Sequence, residues 1–477
     1  MKMTFKKTFI FMTVLMLSAV SCSEVKQSES ITSNSENTTV SSPSDEKGEI
    51  ELTCAYYNEL GNEFNKMVKT FNEEENGCKI VLKDYSDMLV YENPEFKAGI
   101  TKESYAALKV EMYQDIIKGE IDIVDSSIIG EPSTFEILKN QGAFADLYQF
   151  MENDPDVNRS ILNETVLKLN EIDGKLYNMP TYFGINTMIG ETKYVGTEEN
   201  WTFEELKNCW EQMPEGATIG GHKTKEYVYM VLLRNMLHEF VDYKNGTASF
   251  DSPKFREILQ FCNDNFATLD YGWGSEPIDF NSPMLINDFS IHGIMKYYEY
   301  TKGENTLVGY PSNDGRGAFI EQDINYNFAI NAGISAEKQE CAWQFIRRFY
   351  DYDYQLDQYN PKFDDGKGGF FYQEEVGIPI NNKAFEDGAR QIINGEIYSA
   401  VITQQGVEVN NGLPTQEDYE GLVEYIKTVN MVETRIHDDL WQIIQDEIYS
   451  YFAGGQDIDT TIDHIQNRAS IMVSEKA

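Results

Sequence analysis

The chain has 477 residues, beyond the length at which a single hydrophobic core keeps growing, so two lobes or more are expected. Its 39 Lys and Arg face 79 Asp and Glu, a formal net charge of −40 that repels phosphate backbones and anionic headgroups and excludes nucleic-acid binding. Hydrophobic residues reach 41% and aromatics 13%, far above a disordered acidic chain, while the six cysteines form no CxxC and suggest neither a zinc site, a dithiol motif nor any cofactor.

At the amino terminus Lys2, Lys6 and Lys7 precede an apolar run over 8–20, the n-region and h-region of a secretory signal, too short to persist as a spanning helix. Ala19-Val20-Ser21-Cys22 resembles the lipobox of bacterial lipoproteins, in which a cysteine behind small residues is diacylated and becomes the new first residue. Ala19 stands where leucine is usual, and an ordinary signal with a chance cysteine is the alternative. Residues 1–21 are expected to be the signal, and 22–47 the lipidated Cys22 with a Ser/Thr/Glu/Asn tether too polar to bury surface. Cys54, Cys78, Cys209, Cys262 and Cys341 remain, an odd number in an exported chain, so at least one stays unpaired unless it bridges two chains. Cys262 and Cys341 fall on apolar helical stripes, which points to buried packing.

The pattern then alternates. Residues 50–57 read as a strand; Phe64, Met67, Val68 and Phe71 mark one apolar helix face; and 79–84 read as a second strand, giving a βαβ unit. Tyr105, Leu108, Met112 and Ile116 make the next helical stripe, ended by Gly119, before a short buried strand over 121–125. Thr202-Phe203-Glu204-Glu205 is a capping box, and Ser252-Pro253 sets an N-cap before a proline at the first helical position, with Phe255, Ile258, Leu259 and Cys262 on one face. Ser335 precedes the Ala342, Phe345, Ile346, Phe349 stripe, and two further stripes, from Leu440 and from Ile458, close the chain. The class is α/β.

Several collinear strings give this order a wider likeness. They include Lys118-Gly119-Glu120-Ile121-Asp122-Ile123-Val124, Gly142-Ala143-Phe144-Ala145-Asp146-Leu147, Asp173-Gly174-Lys175-Leu176-Tyr177-Asn178-Met179-Pro180, Trp201-Thr202-Phe203-Glu204-Glu205-Leu206, Phe328-Ala329-Ile330-Asn331-Ala332, Ala342-Trp343-Gln344-Phe345-Ile346 and Tyr451-Phe452-Ala453-Gly454-Gly455. Over nearly the whole mature chain the sequence resembles the family 1 extracellular solute-binding proteins, sugar-binding lipoproteins of ABC importers, to which maltose-binding protein is distantly related. The resemblance implies a type II periplasmic-binding-protein-like fold, two α/β lobes with a ligand cleft between them. The first lobe would take 48–183 plus 328–390, the second 184–327 plus 391–477, with the chain crossing near 182–189 and returning near Phe328. Asp122 and Asp146 read as scaffold carboxylates bonded to turns and caps.

Catalytic motifs do not appear. The sequence contains no GxSxG elbow, P-loop, GxGxxG or HExxH, and His222, His238, His292, His437 and His464 are scattered singly. A glycosidase needs two facing carboxylates, which 79 acidic residues neither reveal nor exclude. Asp351, Asp353, Asp357, Asp364 and Asp365 lack the sixth-position glycine and closing glutamate of an EF-hand and read as a solvated acidic loop.

Sugar recognition needs aromatic faces for pyranose C–H surfaces and planar polar groups for hydroxyls. Tyr56, Tyr57 and Asn58 end the first strand, Tyr85 follows the second, Asp125 and Ser126 end the third, and Tyr182 and Phe183 lie on the crossover. In the second lobe Asp288 and Phe289 follow an apolar triplet, and Tyr310 precedes Pro311. Each tyrosine has half-buried strand packing as its alternative. Trp201, Trp210, Trp343 and Trp441 sit on or beside helical stripes; Trp273, between Gly272 and Gly274, reads as a loop indole serving as a stacking platform, or as a plug over the second core. The expected protein is a monomeric, lipid-anchored receptor on the extracellular face of the bacterial cytoplasmic membrane. It captures a carbohydrate, an oligosaccharide above all, and delivers it to ABC permease subunits. A lipid-anchored glycoside hydrolase and a surface glycan adhesin or sensor are the alternatives.

Overall fold

The computed structural model describes residues 49–56, 62–74, 76–93, 98–126, 132–197, 201–234, 236–243, 245–268, 276–312, 317–321, 326–360, 362–364, 370–372, 377–396, 400–403, 406–409, 412–432 and 438–476. The signal, Cys22 and the tether lie outside this set, as do Tyr57, Asn58, Trp273 and His437. Strand β1 (Ile50–Tyr56), helix α1 (Asn62–Glu73) and strand β2 (Cys78–Asp84) form a βαβ unit whose strands pair in parallel from Ile50 with Cys78 to Tyr56 with Asp84. The helix forms because Phe64, Val68 and Phe71 recur on one face, and all three are buried. Helix α2 (Lys102–Lys118) starts where the Thr101 side chain accepts from the Ser104 N–H and stops at Gly119, whose φ of 73° a Cβ would disfavour.

Strand β3 (Ile123–Asp125) follows, then β4 (Met179–Pro180) and the long β5 (Tyr182–Glu191). Helix α3 (Phe203–Trp210) opens on the expected capping box between Thr202 and Glu205, α4 spans Lys225–Arg234, and α5 (Pro253–Asn265) opens on the Ser252 cap with proline in its first turn. Then come β6 (Asn287–Ile291), α6 (Ile294–Thr301), β7 (Asn305–Leu307), β8 (Phe319–Glu321) and β9 (Asn327–Ile330). Helices α7 (Ala336–Ile346) and α8 (Tyr352–Tyr359), strand β10 (Ile378–Pro379) and helices α9 (Asn382–Ile393), α10 (Gln416–Thr428), α11 (Asp438–Phe452) and α12 (Ile458–Lys476) complete the frame.

Two five-stranded sheets result. The first runs β2-β1-β3-β9-β4; in the second β5 is central, pairing antiparallel with β6, β7, β8 and β10. One apolar cluster fills the first sheet around Leu52, Phe64, Ile123 and Phe328 and continues along β5 to one face of the second sheet, at Ile185, Ile291 and Ile320. A second cluster packs α3, α4, α5, α11 and α12 on the other face. Among the described residues no helix is long and apolar enough to cross a membrane.

Two local expectations are corrected. Cys341 is not a solitary packing thiol: it is disulfide-bonded to Cys78, tying the first residue of β2 to α7, while Cys54 and Cys262 are buried free thiols whose pKa burial pushes up. The Asp351 to Asp357 stretch is not a loop, because a 3-10 turn runs directly into α8, which carries Asp353 and Asp357 on its exposed side. Asp122 is a scaffold carboxylate as expected, 1% exposed, but bonded to no turn or cap: it accepts from the Thr53 N–H of β1 at 2.7 Å and pairs with Lys338 of α7 at 2.9 Å. Asp146 likewise accepts from the N–H groups of Tyr148 and Leu176.

Candidate functional site

Strand register decides what meets what. Tyr56 lies opposite Asp84, Cys54 opposite Ile123, Asp125 opposite Phe328, and Asn327 opposite Pro180. The ends of β1, β2, β3 and β4 and the start of β9 therefore share one edge of the first sheet. β5 leaves from that edge, only Thr181 separating it from β4. In the second sheet Glu321, the last residue of β8, lies opposite Gly184, and Ile291, the last of β6, opposite Ile185, so these strands end at the same crossing. Carboxyl ends of strands from both sheets converge there, the place where open α/β sheets bind ligands.

Side-chain alternation then sorts the second sheet. Ile185, Ile291 and Ile320 turn to the apolar cluster, so Asn186, Ser290 and Glu321 occupy the opposite face, with Asp288 and His292 two residues to either side of Ser290. The Ser290 hydroxyl donates to Asn186 Oδ1 at 2.7 Å, and His292 Nε2 stands 3.3 Å from Glu321 Oε2, both partners about one-third exposed. Asp288 is exposed. Deeper on that face Phe319 packs against Tyr310 at 5.4 Å and meets the His238 ring edge-on at 5.6 Å. From the first sheet Tyr56 and Ser126 are half-buried at the edge and Asp84 is exposed.

The residues singled out from sequence divide by burial. Tyr56 and Ser126 keep accessible surface at the strand ends of the first sheet; Asp288 is exposed but lies near the start of β6, opposite Met188, since the strand runs over Asn287–Ile291 and not before it, and Phe289 is half-buried against the apolar cluster on the other face. Asp125 is 1% exposed, and its Oδ1 accepts from the Asn327 N–H at 3.0 Å, which locks β3 to the returning strand. Tyr85 is 3% exposed and donates to Asp115 at 2.7 Å; burial first, and that carboxylate second, raise its pKa. Tyr182, 1% exposed, donates to the Gln355 carbonyl at 3.0 Å, and burial raises its pKa well above the usual phenol. Phe183 and Tyr310 are likewise enclosed. These four rings are occupied by packing. Tyr57, Asn58 and Trp273 lie outside the described residues.

Asn186, Ser290, His292 and Glu321 were not singled out from sequence. Their signal was weak: single polar residues in or just beyond strands, whose common face exists only once β6 and β8 are paired with β5. Chemically the row offers hydroxyl, amide, imidazole and carboxylate groups, matched to a ligand rich in hydroxyls. Among the described residues no group of three His, Cys, Asp or Glu side chains is placed to hold a metal ion.

No family model and no curated protein matches the chain. Solved structures do. An extracellular solute-binding protein of family 1 from Alicyclobacillus acidocaldarius is 11% identical, with TM-score 0.52 over 90% of this chain and 100% of its own. A designed esterase subjected to directed evolution is 13% identical, with TM-score 0.52 over 90% and 99%. The cyclic alpha-maltosyl-1,6-maltose binding protein of Arthrobacter globiformis is 14% identical, with TM-score 0.48 over 90% and 100%. The fold is the two-lobed α/β fold of the extracellular solute-binding proteins.

Proposed function

We propose that this chain, built on the two-lobed fold of extracellular solute-binding proteins, is a non-enzymatic receptor that captures a carbohydrate between its lobes and hands it to an ABC importer. The observation that carries this is the polar row of Asn186, Ser290, His292 and Glu321, with Asp288 farther along the same face, on a sheet whose strands end at the crossing where the first-sheet strands bearing Tyr56 and Ser126 also end. Such an arrangement binds hydroxyls from two sides and closes over them when the lobes move. Support for a solute receptor comes from the fold it shares with an extracellular solute-binding protein of family 1, and the sugar rests on the hydroxyl, amide, imidazole and carboxylate groups of the row. Tyr57, Asn58 and Trp273 complete the proposed site, with the Trp273 indole as a stacking platform. Cys22 is the proposed lipid anchor, holding the receptor at the extracellular face of the membrane on the 23–47 tether. Residues 48–183 with 328–390 are the proposed first lobe, 184–327 with 391–477 the second.

A thermal-shift panel of mono- and oligosaccharides, with product analysis of every hit, tests the reading. A receptor is stabilised by its sugar and returns it intact. Release of reducing ends from a hit would identify a hydrolase instead, and no shift with any glycan would set the sugar reading aside.

A further inference from the structure

The second lobe carries another candidate site, built from the carboxyl ends of two helices. Helix α3 ends at Trp210 and α5 at Asn265, and the two ends are pinned together by the indole N–H of Trp210, which donates to Asn265 Oδ1 at 3.1 Å. The Asn265 amide in turn donates to the Phe261 carbonyl at 2.9 Å, so its orientation is fixed. Phe266 backs the indole at 4.7 Å between ring centroids and Phe261 meets it edge-on at 6.2 Å. Both phenylalanines are buried, at 9% and 7% exposure, whereas Trp210 remains half-buried. A rigidly held indole at the surface is the result.

Two adjoining depressions flank this ring. One, of about 300 Å³, runs over Trp210 toward Met213, Pro214, Glu215 and Lys223; the other, of about 220 Å³, runs over Trp210 toward Glu211, Glu257 and Gln260. Trp210 and Asn265 border both. Polar groups are therefore distributed on both sides of one aromatic ridge. The lysines are already engaged: Lys207 bridges to Glu204 and Glu257, and Lys223 pairs with Asp279 at 2.6 Å. Glu211, Glu215 and Gln260 are exposed. An anionic ligand would meet carboxylates and two helix carboxyl ends, which carry partial negative charge.

We infer that this ridge is a second, surface saccharide-binding site, taking a neutral glycan chain of at least two sugar rings laid across Trp210. Pyranose C–H faces pack on the indole and hydroxyls donate to Glu211 and Glu215 on either side. The extended shape selects a chain: a small organic cation would fill one depression and leave the other empty. This inference is independent of what the interlobe crossing binds.

Affinity electrophoresis of the full mature chain through gels containing soluble starch, barley β-glucan, xylan or galactomannan tests it, with tetramethylammonium titrated against Trp fluorescence as the cationic arm. At least one polymer retards the wild type; Trp210→Ala weakens that retardation tenfold or more; and the Asp288→Ala/His292→Ala double variant, altered at the crossing, retains it. Glu211→Ala/Gln260→Ala, which changes two exposed side chains and no packing, weakens it at least threefold and guards against a Trp210→Ala chain that fails to fold. The inference is overturned if no polymer retards the wild type, if the two exposed substitutions leave retardation unchanged, if retardation disappears in the crossing variant but survives Trp210→Ala, or if tetramethylammonium alone perturbs the fluorescence.

Discussion

Asp351 shows how one side chain stores pH sensitivity in the frame. Burial raises its carboxyl pKa to about 6, with Asp156 and Asp154 adding repulsion and the Arg347 and Arg348 guanidiniums partly opposing it. Its unfolded value lies near 3.8, so the folded chain holds the extra proton between the two values, and stability from this group is lost as pH rises through about 6. Asp351→Asn should therefore stabilise the protein at pH 8 by about 1 to 3 kcal/mol, and the gain should vanish by pH 4; urea unfolding at both values measures it. A gain of equal size at both would locate the effect outside ionisation. The Cys78–Cys341 bridge spans 263 residues, so Cys78→Ser should cost about 2 to 5 kcal/mol. Calorimetry of that variant beside reduced wild type checks it, the two being expected to melt alike. Position 341 was legible as buried but not as bridged, because periodicity reports which face a residue takes and says nothing of the strand that faces it.

At the scale of elements, the crossing is held by Gln355 of α8. Its side chain is fully buried; Nε2 donates to the carbonyls of Thr181 at 2.7 Å and Phe349 at 2.9 Å, and Oε1 accepts from the Asn381 N–H at 2.8 Å. Three segments, the β4–β5 junction, the turn before α8 and the entry to α9, thus converge on one amide. Gln355→Ala removes all three bonds and leaves the Asn381 N–H without its partner, while the Thr181 carbonyl keeps the Ile380 N–H at 3.3 Å; it should cost about 2 to 4 kcal/mol, read as a lower urea midpoint at unchanged slope. A loss below about 1 kcal/mol would mean that water enters and replaces the amide. By contrast the starts of α3, α5 and α7 were readable in advance, since Thr202, Ser252 and Ser335 bond within three residues of themselves. Gln355 reaches across 174 residues to Thr181 and left no local trace.

For the whole molecule, a ligand that binds only the folded chain stabilises it by about 4 kcal/mol at a thousand times its dissociation constant. On the proposed function the stabilising sugar should also reduce the radius of gyration in small-angle scattering; a large thermal shift without compaction would point to binding away from the crossing, Trp210 included. Trp273→Ala should weaken that sugar at least tenfold and leave the unliganded melting temperature unchanged; an early-melting variant with normal affinity would assign the indole to packing. Fractionation tests the anchor: Cys22→Ala should move the protein from the membrane fraction to the soluble one, and a variant that stays membrane-bound after signal removal would refute lipidation.

The sequence by itself determined the α/β class, the opening βαβ unit, the end of α2 at Gly119, the starts of α3 and α5 and the turn-bonded Asp146, because these rest on periodicity and on bonds between near neighbours. Its strand-end rule also selected Tyr56 and Ser126, which stand at the strand ends of the first sheet, whereas Asp288 lies near the start of β6, opposite Met188, and not behind a strand over 284–286. Burial of Tyr85, Tyr182, Phe183 and Tyr310 was decided only by tertiary structure, since a ring at a strand end turns toward solvent or core according to what packs above it. So was the row of Asn186, Ser290, His292 and Glu321, drawn from three strands up to 135 residues apart. Two residues on separate strands share a face only through the register of their pairing, and register is set by the fold that surrounds it.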